Sequence, residues 1–374
     1  MKWTLKIGRF AGIDVYLHGT FLILIGILAI SSGLAKGSVL GAVQGVAYFV
    51  SVFFCVLLHE FGHALTARRY GIETRDIILL PIGGVASLER MPEKPSQEFW
   101  IAVAGPAVNV AIAALLGLWL WFDRTAESMW GTSLTHGHLA ANLFRTNLFL
   151  VLFNMIPAFP MDGGRVFRAL LASVMDYAKA TRLAAVVGRG FALVFAAVGI
   201  FFNPMLIFIA FFIWMAGGQE SDAVQMRRAT AGLQVHHAMM SDFQCLEPHD
   251  TLDRAAHLLL QSSQRHFPVV QGPRVVGILE RESLLRGLAV HGRHGPVQNC
   301  ADTSFGTAEP NELLDVVLAR MGGSPLAILP VVASGRLVGL LDMENVQEML
   351  LIQRALADAD ARLTPDGALT RGLA

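Results

Sequence analysis

Residues 44–67 read QGVAYFVSVFFCVLLHEFGHALTA, an apolar run that closes on the motif HEFGH at positions 59–63. About 20 apolar residues form a helix long enough to cross the hydrocarbon core of a bilayer. On such a helix His59 and His63 lie four positions apart on one face, so both imidazoles can bind one metal ion. Glu60 lies one position further on, where it can reach a water molecule bound to that metal. The pattern is typical of zinc hydrolases, in which zinc lowers the pKa of its water and the glutamate accepts the proton.

The membrane setting of this motif favours the metal interpretation. Ionisable side chains within an apolar span are energetically costly, and they usually belong to functional sites. The alternative is that His59, Glu60 and His63 only form hydrogen bonds between helices. Two imidazoles do not complete the site, because catalytic zinc takes three protein ligands and one water. The sequence therefore predicts a third ligand elsewhere in the chain.

The segment NMIPAFPMDGGR, residues 154–165, contains the candidate for this third ligand. Pro157 and Pro160 break a helix, and the glycine pair after Asp162 permits a tight turn that can direct the carboxylate into a helical bundle. We therefore predict that Asp162 binds the metal together with the two histidines. The alternative is that Asp162 only caps a helix or closes the D-G-G turn.

The composition of the chain separates a membrane part from a soluble part. Of its 374 residues, 54% are hydrophobic and 16% are charged, whereas soluble domains contain about 25% charged residues. The formal net charge is zero, which gives no electrostatic reason to expect nucleic acid as a partner. Long apolar stretches are confined to the first part of the chain, and they predict six membrane spans at about 18–35, 44–67, 98–122, 140–159, 183–202 and 204–219.

The distribution of lysine and arginine predicts the orientation of these spans. Positive residues collect in cytoplasmic loops, and an even number of spans places both termini on the same side. The segments predicted to face outward hold only Lys36 and Arg124. The segments on the side of the N-terminus hold Lys2, Lys6, Arg9, Arg68, Arg69, Arg75, Arg90, Lys94, Arg165, Arg168, Lys179, Arg182, Arg227 and Arg228. We therefore expect a multi-pass protein of the cell membrane with cytoplasmic N- and C-termini, in which HEFGH and Asp162 lie at similar depth.

The last part of the chain contains an internal repeat of about 60 residues. Each copy contains a helix, a β-prone run, a glycine-bearing strand and a second helix, and the shared core reads PVVQGPRVVG in the first copy and PVVASGRLVG in the second. The predicted domains are a transmembrane domain over residues 1–220, a linker over 221–232, the two repeats over 233–292 and 293–354, and a flexible tail over 355–374.

HEFGH and N-x-x-P-x-x-P-x-D-G-G, together with AGPAVN in the third predicted span, resemble the site-2 protease family of intramembrane zinc metalloproteases. The resemblance covers about residues 1–220. It implies a membrane domain that cleaves single-span membrane proteins such as anti-sigma factors. It also implies one zinc ion per chain, held by His59, His63 and Asp162, with Glu60 as the general base.

The same resemblance suggests roles for residues outside the metal set. Asn154 stands where the family places an asparagine that contacts substrate or stabilises the transition state; the alternative is that it caps a backbone group freed in the broken helix. Gly105, Pro106 and Asn109 belong to the third-span motif, for which we expect close packing near the site. Asn109 is also a candidate substrate contact.

Residues 74–90, TRDIILLPIGGVASLER, predict a β-hairpin at the membrane interface, because two β-prone runs flank Gly83 and Gly84. A protease must receive its substrate in extended form, and an exposed edge over residues 76–88 could pair with substrate by strand addition. Gly83 and Gly84 are therefore candidate substrate contacts. The alternative is a purely structural hairpin.

The two repeats resemble a tandem pair of cystathionine-β-synthase-type (CBS) domains over about residues 233–352. Pairs in that family often bind adenine nucleotides and regulate an attached enzyme. We also expect that the chain can form a homodimer through these domains. Nucleotide-binding members commonly carry a threonine followed three residues later by an aspartate that binds ribose. Those positions hold Glu280 and Ser283 in the first repeat, and Asp342 and Asn345 in the second. The sequence therefore leaves nucleotide binding open.

These patterns together predict a polytopic α-helical membrane domain of about six spans with an interfacial β-hairpin, followed by an α+β tandem CBS module. The expected function is zinc-dependent proteolysis of membrane-anchored proteins in the lipid bilayer, regulated by the cytoplasmic CBS pair. Two alternatives remain. One is a non-proteolytic membrane sensor in which the CBS pair reads a ligand, and the other is a zinc transporter, which would need metal sites leading to both sides.

Overall fold

The computed structural model describes residues 3–81, 83–88, 92, 94–123, 139–262, 264–321 and 328–363. The chain divides into two compact units, Met1–Gln225 and Met226–Ala374. This division falls within the segment that the sequence predicts as a linker.

The first unit is built mainly of helices. They are α1 (Gly19–Lys36), α2 (Val39–Arg69), α3 (Pro95–Phe122), α4 (Leu139–Asn154), α5 (Asp162–Ala172), α6 (Tyr177–Phe201) and α7 (Met205–Thr230), the last of which continues past the boundary. The turn between α1 and α2 is encoded locally, because Gly37 adopts φ +58° at the end of α1 and the Ser38 side chain accepts a hydrogen bond from Gly41 N at 3.1 Å.

The helices differ in whether they are long and apolar enough to cross a membrane. Within the described parts of the chain, α2, α3 and α6 meet this condition, while α4 and the apolar part of α1 are shorter. The apolar part of α7, residues 205–218, has a length of about 21 Å at 1.5 Å per residue, against a hydrocarbon core of about 30 Å. The prediction of a helical unit with mostly apolar helices is confirmed, and the count of six spans stays a prediction.

A mixed sheet covers part of the helices. It contains β1 (Thr4–Phe10), β2 (Ile13–His18), β3 (Thr74–Leu80) and β4 (Gly83–Leu88), in that spatial order among the described residues. The pair β2–β3 is parallel, and the other two pairs are antiparallel. The sequence predicted only the hairpin β3–β4. The alternation that marks β2 is present in the sequence, since the apolar residues Ile13 and Val15 are buried and Asp14 between them is only partly buried.

The glycine pair of this hairpin lies in a strand, which corrects the predicted position of the turn. Gly83 is opposite Leu80 and Gly84 is opposite Leu79, so both glycines are paired residues at the start of β4. The physical reason is close packing on α2, because a Cβ added to Gly84 would lie 2.6 Å from Glu60 Cγ. Glycine at position 84 therefore allows β4 to pack closely on α2.

The second unit repeats one arrangement twice. Each copy contains a helix, an antiparallel hairpin and a second helix: α8 (Leu252–Gln261), β5 (His266–Gln271), β6 (Arg274–Glu280) and α9 (Arg281–His291), then α10 (Leu314–Met321), β7 (Ile328–Ala333), β8 (Arg336–Asp342) and α11 (Met343–Leu363). The registers match, since Pro268 pairs with Ile278 and Pro330 pairs with Leu340, and each hairpin has a bulge after its first valine. A cluster of buried residues from both copies, including Ile278, Ile328 and Leu340, joins them.

The end of the chain differs from the predicted tail. Helix α11 continues to Leu363, so residues 355–363 are helical. The remaining predicted tail, residues 364–374, lies outside the described residues.

Candidate metal centre

Three ligand atoms of the predicted metal site converge in the first unit. His59 and His63 come from α2 and Asp162 is the first residue of α5; these side chains are buried. Asp162 Oδ2 lies 3.1 Å from His59 Nε2 and 3.3 Å from His63 Nε2. The two Nε2 atoms are 3.1 Å apart. Among the described residues, this is the group of histidine and carboxylate side chains that could hold a metal ion.

The triangle of ligand atoms has the size that zinc requires. Zinc bonds of about 2.0–2.1 Å in tetrahedral geometry place neighbouring ligand atoms about 3.3 Å apart. Asp162 Oδ2 is buried and lies close to both rings, but it accepts no hydrogen bond from the residues that the structure describes. A buried carboxylate oxygen without a donor, facing two ring nitrogens, is stabilised by a cation. The residues therefore fit a zinc ion, with the fourth position left for water.

The second nitrogen of each ring is held by an acceptor. His63 Nδ1 lies 2.7 Å from the backbone carbonyl oxygen of Ile101, which can only accept, so this nitrogen carries the proton. His59 Nδ1 lies 2.5 Å from Asn109 Oδ1. Both Nε2 atoms then present lone pairs to the metal position, which is the usual arrangement around zinc-bound histidines.

The predicted role of Asn109 as a substrate contact is corrected by its position. Asn109 is 0% exposed, and its amide is engaged by His59 on one side and by Asn147 at 2.7 Å on the other. A fully buried amide between two protein partners cannot face a substrate, so Asn109 instead lies behind His59, a predicted metal ligand. The sequence placed the third-span motif near the site, and the structure agrees with that part of the prediction.

A tight backbone turn directs Asp162 into the site. A Cβ on Gly163 would lie 2.4 Å from the carbonyl carbon and oxygen of Met155, and a Cβ on Gly164 would lie 2.6 Å from the carbonyl carbon of Ala158. Real Cβ atoms do not approach backbone so closely, so the chain after α4 folds back onto the start of α5 only with glycine at both positions. The sequence predicts a tight turn at this glycine pair.

A buried ion cluster holds α5 in place. Arg168, which is 1% exposed, donates from Nε to Glu98 Oε1 of α3 at 2.8 Å and from Nη1 to Glu220 Oε1 of α7 at 2.5 Å. Its guanidinium also lies over the ring of Phe159, 4.9 Å from the ring centre. Since α5 begins with Asp162, this cluster fixes the helix that carries the predicted third ligand. From the sequence alone, Arg168 is expected only to contribute to the cytoplasmic positive charge.

Glycine keeps the metal position clear on the side of α3. A Cβ on Gly105 would lie 2.2 Å from His63 Nε2 and 2.7 Å from His59 Nε2. A methyl group there would occupy the volume in which a metal ion meets both nitrogens. Glu60, beside His59 on α2, is covered by the start of β4 at Gly84 and is within electrostatic reach of Arg165.

Two candidate substrate-binding residues, Asn154 and Gly83, show no contact with the metal-binding side chains in the described part of the chain. Asn154 is the last residue of α4 and is partly buried; its side chain forms no hydrogen bond within the described ranges. Gly83 adopts φ +142° at the start of β4, and among the described residues no atom outside its immediate chain neighbours lies within 4 Å of a Cβ built there. Gly84, the neighbouring candidate, does contact the site through Glu60.

Comparison with known proteins identifies both parts of the chain. The model of peptidase family M50 matches residues 47–129 and 125–197, and the CBS domain model matches residues 235–290. A zinc metalloprotease of Methanocaldococcus jannaschii is 28% identical over 94% of this chain and 97% of its own length. Stage IV sporulation protein FB of Bacillus subtilis is 30% identical over 34% of this chain and 41% of that protein. The solved structure of a site-2 protease from Methanocaldococcus jannaschii is 36% identical, with a TM-score of 0.43, and the match covers 59% of this chain and 95% of that chain.

The first unit, which the family model matches over residues 47–197, is a zinc metalloprotease of peptidase family M50, of the site-2 protease type. Its second unit contains a CBS domain. The family, the enzyme class and the CBS domain predicted from the sequence are confirmed by these matches.

Proposed function

We propose that this zinc metalloprotease cleaves membrane-anchored proteins at a site inside its helical unit, with His59, His63 and Asp162 as the zinc ligands and Glu60 as the general base. The observation that carries the proposal is the convergence of two Nε2 atoms and one carboxylate oxygen, 3.1–3.3 Å apart, beside a glutamate on an apolar helix. Site-2 proteases act on membrane-anchored substrates, which gives the substrate class.

The mechanism assigns one task to each group. A zinc ion held by His59, His63 and Asp162 would supply Lewis acidity towards the attacking water and the substrate carbonyl. Glu60 accepts the proton of the attacking water and transfers it to the nitrogen of the leaving amine. Glu60 is partly buried under Gly84, so the proton passes between groups that are shielded from bulk solvent.

Six spans with cytoplasmic termini are the proposed setting of this site. The described structure supports three spans by length and composition, with two shorter apolar helices. The excess of lysine and arginine on the side of the N-terminus supports the cytoplasmic orientation of both termini and of the CBS pair. The catalytic helix α2 then ends at the cytoplasmic face, where Arg68 and Arg69 complete its last turn.

We propose that an extended substrate segment pairs with β4. Because β4 is at one end of the order β1-β2-β3-β4, one of its edges is not paired within the described sheet. The packing of Gly84 on Glu60 brings that strand next to the proposed base. A substrate added to β4 would thus have its backbone groups satisfied and its peptide bond near Glu60. Gly83, Gly84 and Asn154 remain proposed substrate contacts in this arrangement.

Proline substitutions in β4 test strand addition. Successive N–H groups of a strand point to opposite sides, so Val85→Pro and Ala86→Pro each remove a different one. The variant that loses the N–H facing away from β3 should keep its melting temperature and zinc content. Its kcat/KM should fall about 5- to 10-fold, since one hydrogen bond contributes about 1 kcal/mol. If every proline that slows cleavage also lowers the melting temperature, substrate does not pair with β4.

We propose that the CBS pair regulates the protease and that two copies of the chain can associate through their CBS domains. Two carboxylates stand at the helix ends that follow its hairpins. Glu280 precedes α9, and Asp342 Oδ1 accepts a hydrogen bond from Asn345 N at 2.8 Å at the start of α11. Helix N-termini attract phosphate, but Asp342 already occupies an N–H group of α11, and the negative charge of Glu280 at the start of α9 repels phosphate. We therefore expect a regulatory ligand that places no phosphate at the N-termini of α9 and α11. For this reason we do not propose an adenine nucleotide as the ligand.

Metal removal tests the proposed function. A substrate is first identified by comparing the membrane proteomes of cells carrying the wild type and Glu60→Gln, since the uncut precursor should accumulate in the latter. Purified protein stripped with a chelator should then lose cleavage of that precursor, and equimolar Zn²⁺ should restore it while Mg²⁺ should not, because nitrogen ligands favour zinc. Full cleavage by metal-free protein would refute the proposal.

A further inference from the structure

A line of buried amides lies behind the metal ligand His59. Asn109 of α3 and Asn147 of α4 are both 0% exposed. His59 Nδ1 is 2.5 Å from Asn109 Oδ1, and Asn109 Nδ2 donates to Asn147 Oδ1 at 2.7 Å. Asn147 Nδ2 in turn donates to the carbonyl oxygen of Leu143 at 2.9 Å and lies 3.4 Å from the sulfur of Cys55. The line therefore joins α2, α3 and α4 at one side of the site.

The direction of every hydrogen bond in this line follows from its far end. The carbonyl oxygen of Leu143 can only accept, so the Asn147 atom that faces it is the amide nitrogen. The oxygen of Asn147 then faces Asn109, which must present its own amide nitrogen there. The oxygen of Asn109 is consequently the atom that faces His59.

This direction decides which nitrogen of His59 carries the proton. An amide oxygen accepts, so His59 Nδ1 donates and Nε2 keeps its lone pair. If Asn109 were turned over, its NH₂ group would face Nδ1 and favour the tautomer with the proton on Nε2, the atom that faces Asp162 and His63. The same result is reached for His63 in a single step, through the carbonyl oxygen of Ile101.

We propose that Asn147 is a positioning residue that fixes the metal-binding tautomer of His59 through Asn109. The inference rests on the proposed function, because it takes His59 as a zinc ligand. Asn147 does not touch the ligand atoms, and its contribution is the acceptor that holds the amide of Asn109 in one orientation. Partners of this kind behind zinc-bound histidines typically change metal affinity about 10- to 100-fold when they are replaced.

Zinc affinity of the purified full chain is the measurement that separates this role from general stabilisation. Asn147→Leu keeps the approximate size and removes the acceptor, so zinc affinity measured by chelator competition should fall at least about 10-fold. Asn147→Asp supplies an oxygen that still accepts from Asn109, and it should bind zinc within about threefold of the wild type. With Co²⁺ in place of zinc, the visible absorption of the leucine variant should report altered coordination.

Thr181→Val is the matched control. Thr181 is also buried in the membrane unit, and its hydroxyl donates to the carbonyl oxygen of Tyr177 at 2.9 Å within α6, away from the ligands. The control also loses one buried hydrogen bond and should keep wild-type zinc affinity. Equal losses in Thr181→Val and Asn147→Leu would overturn the proposal, as would unchanged affinity in Asn147→Leu.

The same substitution made in a protein that already carries Asn109→Asp provides a second test, in case the leucine variant alone is poorly folded. The carboxylate of Asn109→Asp presents an acceptor to His59 whichever way it turns. In that background Asn147→Leu should weaken zinc binding no further, whereas a further loss of 10-fold or more would overturn the proposal. Wild-type protein that binds no zinc would instead refute the proposed function, so the two failures are distinguishable.

Discussion

Replacing Glu60 by glutamine is expected to lower kcat for peptide cleavage by about 10²- to 10⁴-fold, the usual contribution of a general base. Glutamine has the shape of glutamate but no group that accepts the proton of the attacking water. Zinc content should stay at the wild-type level, because the ligand triangle is made by His59, His63 and Asp162 without Glu60. Cleavage is followed by gel assay on the accumulated precursor, and zinc is measured by mass spectrometry of the purified protein.

Glu73→Gln is the matched control for this experiment. Glu73 is exposed and lies between α2 and β3, so the same change of charge there should leave kcat and zinc content unchanged. Undiminished cleavage by Glu60→Gln would contradict its role as the base. If the cellular function of the protein survives in Glu60→Gln without any cleavage, the alternative of a non-proteolytic membrane sensor gains support.

The second large effect is expected for Asp162→Ala. Replacement of a residue that only hydrogen-bonds to a metal ligand lowers metal affinity by at most roughly 100-fold. Removal of one of the three proposed ligands themselves should lower zinc affinity by more than this. It would also leave two histidine lone pairs facing one another without the carboxylate that now lies 3.1 and 3.3 Å away from them. The measurement is the amount of zinc retained per chain after dialysis against a chelator of known affinity.

Asp176→Ala provides the control for this loss. Asp176 caps the start of α6 by accepting from the backbone N–H groups of Ala178 and Lys179 at 3.1 and 3.3 Å. Its removal should cost about 1 kcal/mol of stability and leave zinc binding as it is. Full zinc occupancy in Asp162→Ala would mean that another residue is the third ligand.

Local sequence signals account for the features that could be predicted. The four-residue spacing of His59 and His63 places two imidazoles on one helix face whatever surrounds them. The two prolines and two glycines around Asp162 permit few backbone conformations. One of these conformations directs the Asp162 carboxylate into the helical bundle. The repeated PVV runs predicted two similar hairpins, and the structure shows them with matching registers.

Features that depend on distant parts of the chain could not be predicted in the same way. Strand β2 pairs in parallel with β3, and the helices α1 and α2 lie between them in the sequence. Such pairing leaves no local turn signal. The glycines of β4 resemble a turn pair, and only their distance to Glu60 shows that they permit packing.

The buried asparagine behind the site belongs to the same group. Asn147 is one polar residue in an apolar helix, and nothing within α4 distinguishes an amide that orders a metal ligand from one that satisfies a backbone group. Its role follows only from the line of hydrogen bonds that crosses three helices. Arg168 is similar, since its carboxylate partners lie on α3 and α7.

The ligand triangle has a consequence for the thermodynamics of the whole membrane unit. Its atoms come from α2 and from the first residue of α5, two helices that meet only when the unit is assembled. An ion that binds the assembled state alone, present at 1,000 times its Kd, stabilises that state by about 4.1 kcal/mol. Zinc held at the proposed ligands would therefore couple metal loading to helix assembly, and it would cross-link segments that are far apart along the chain.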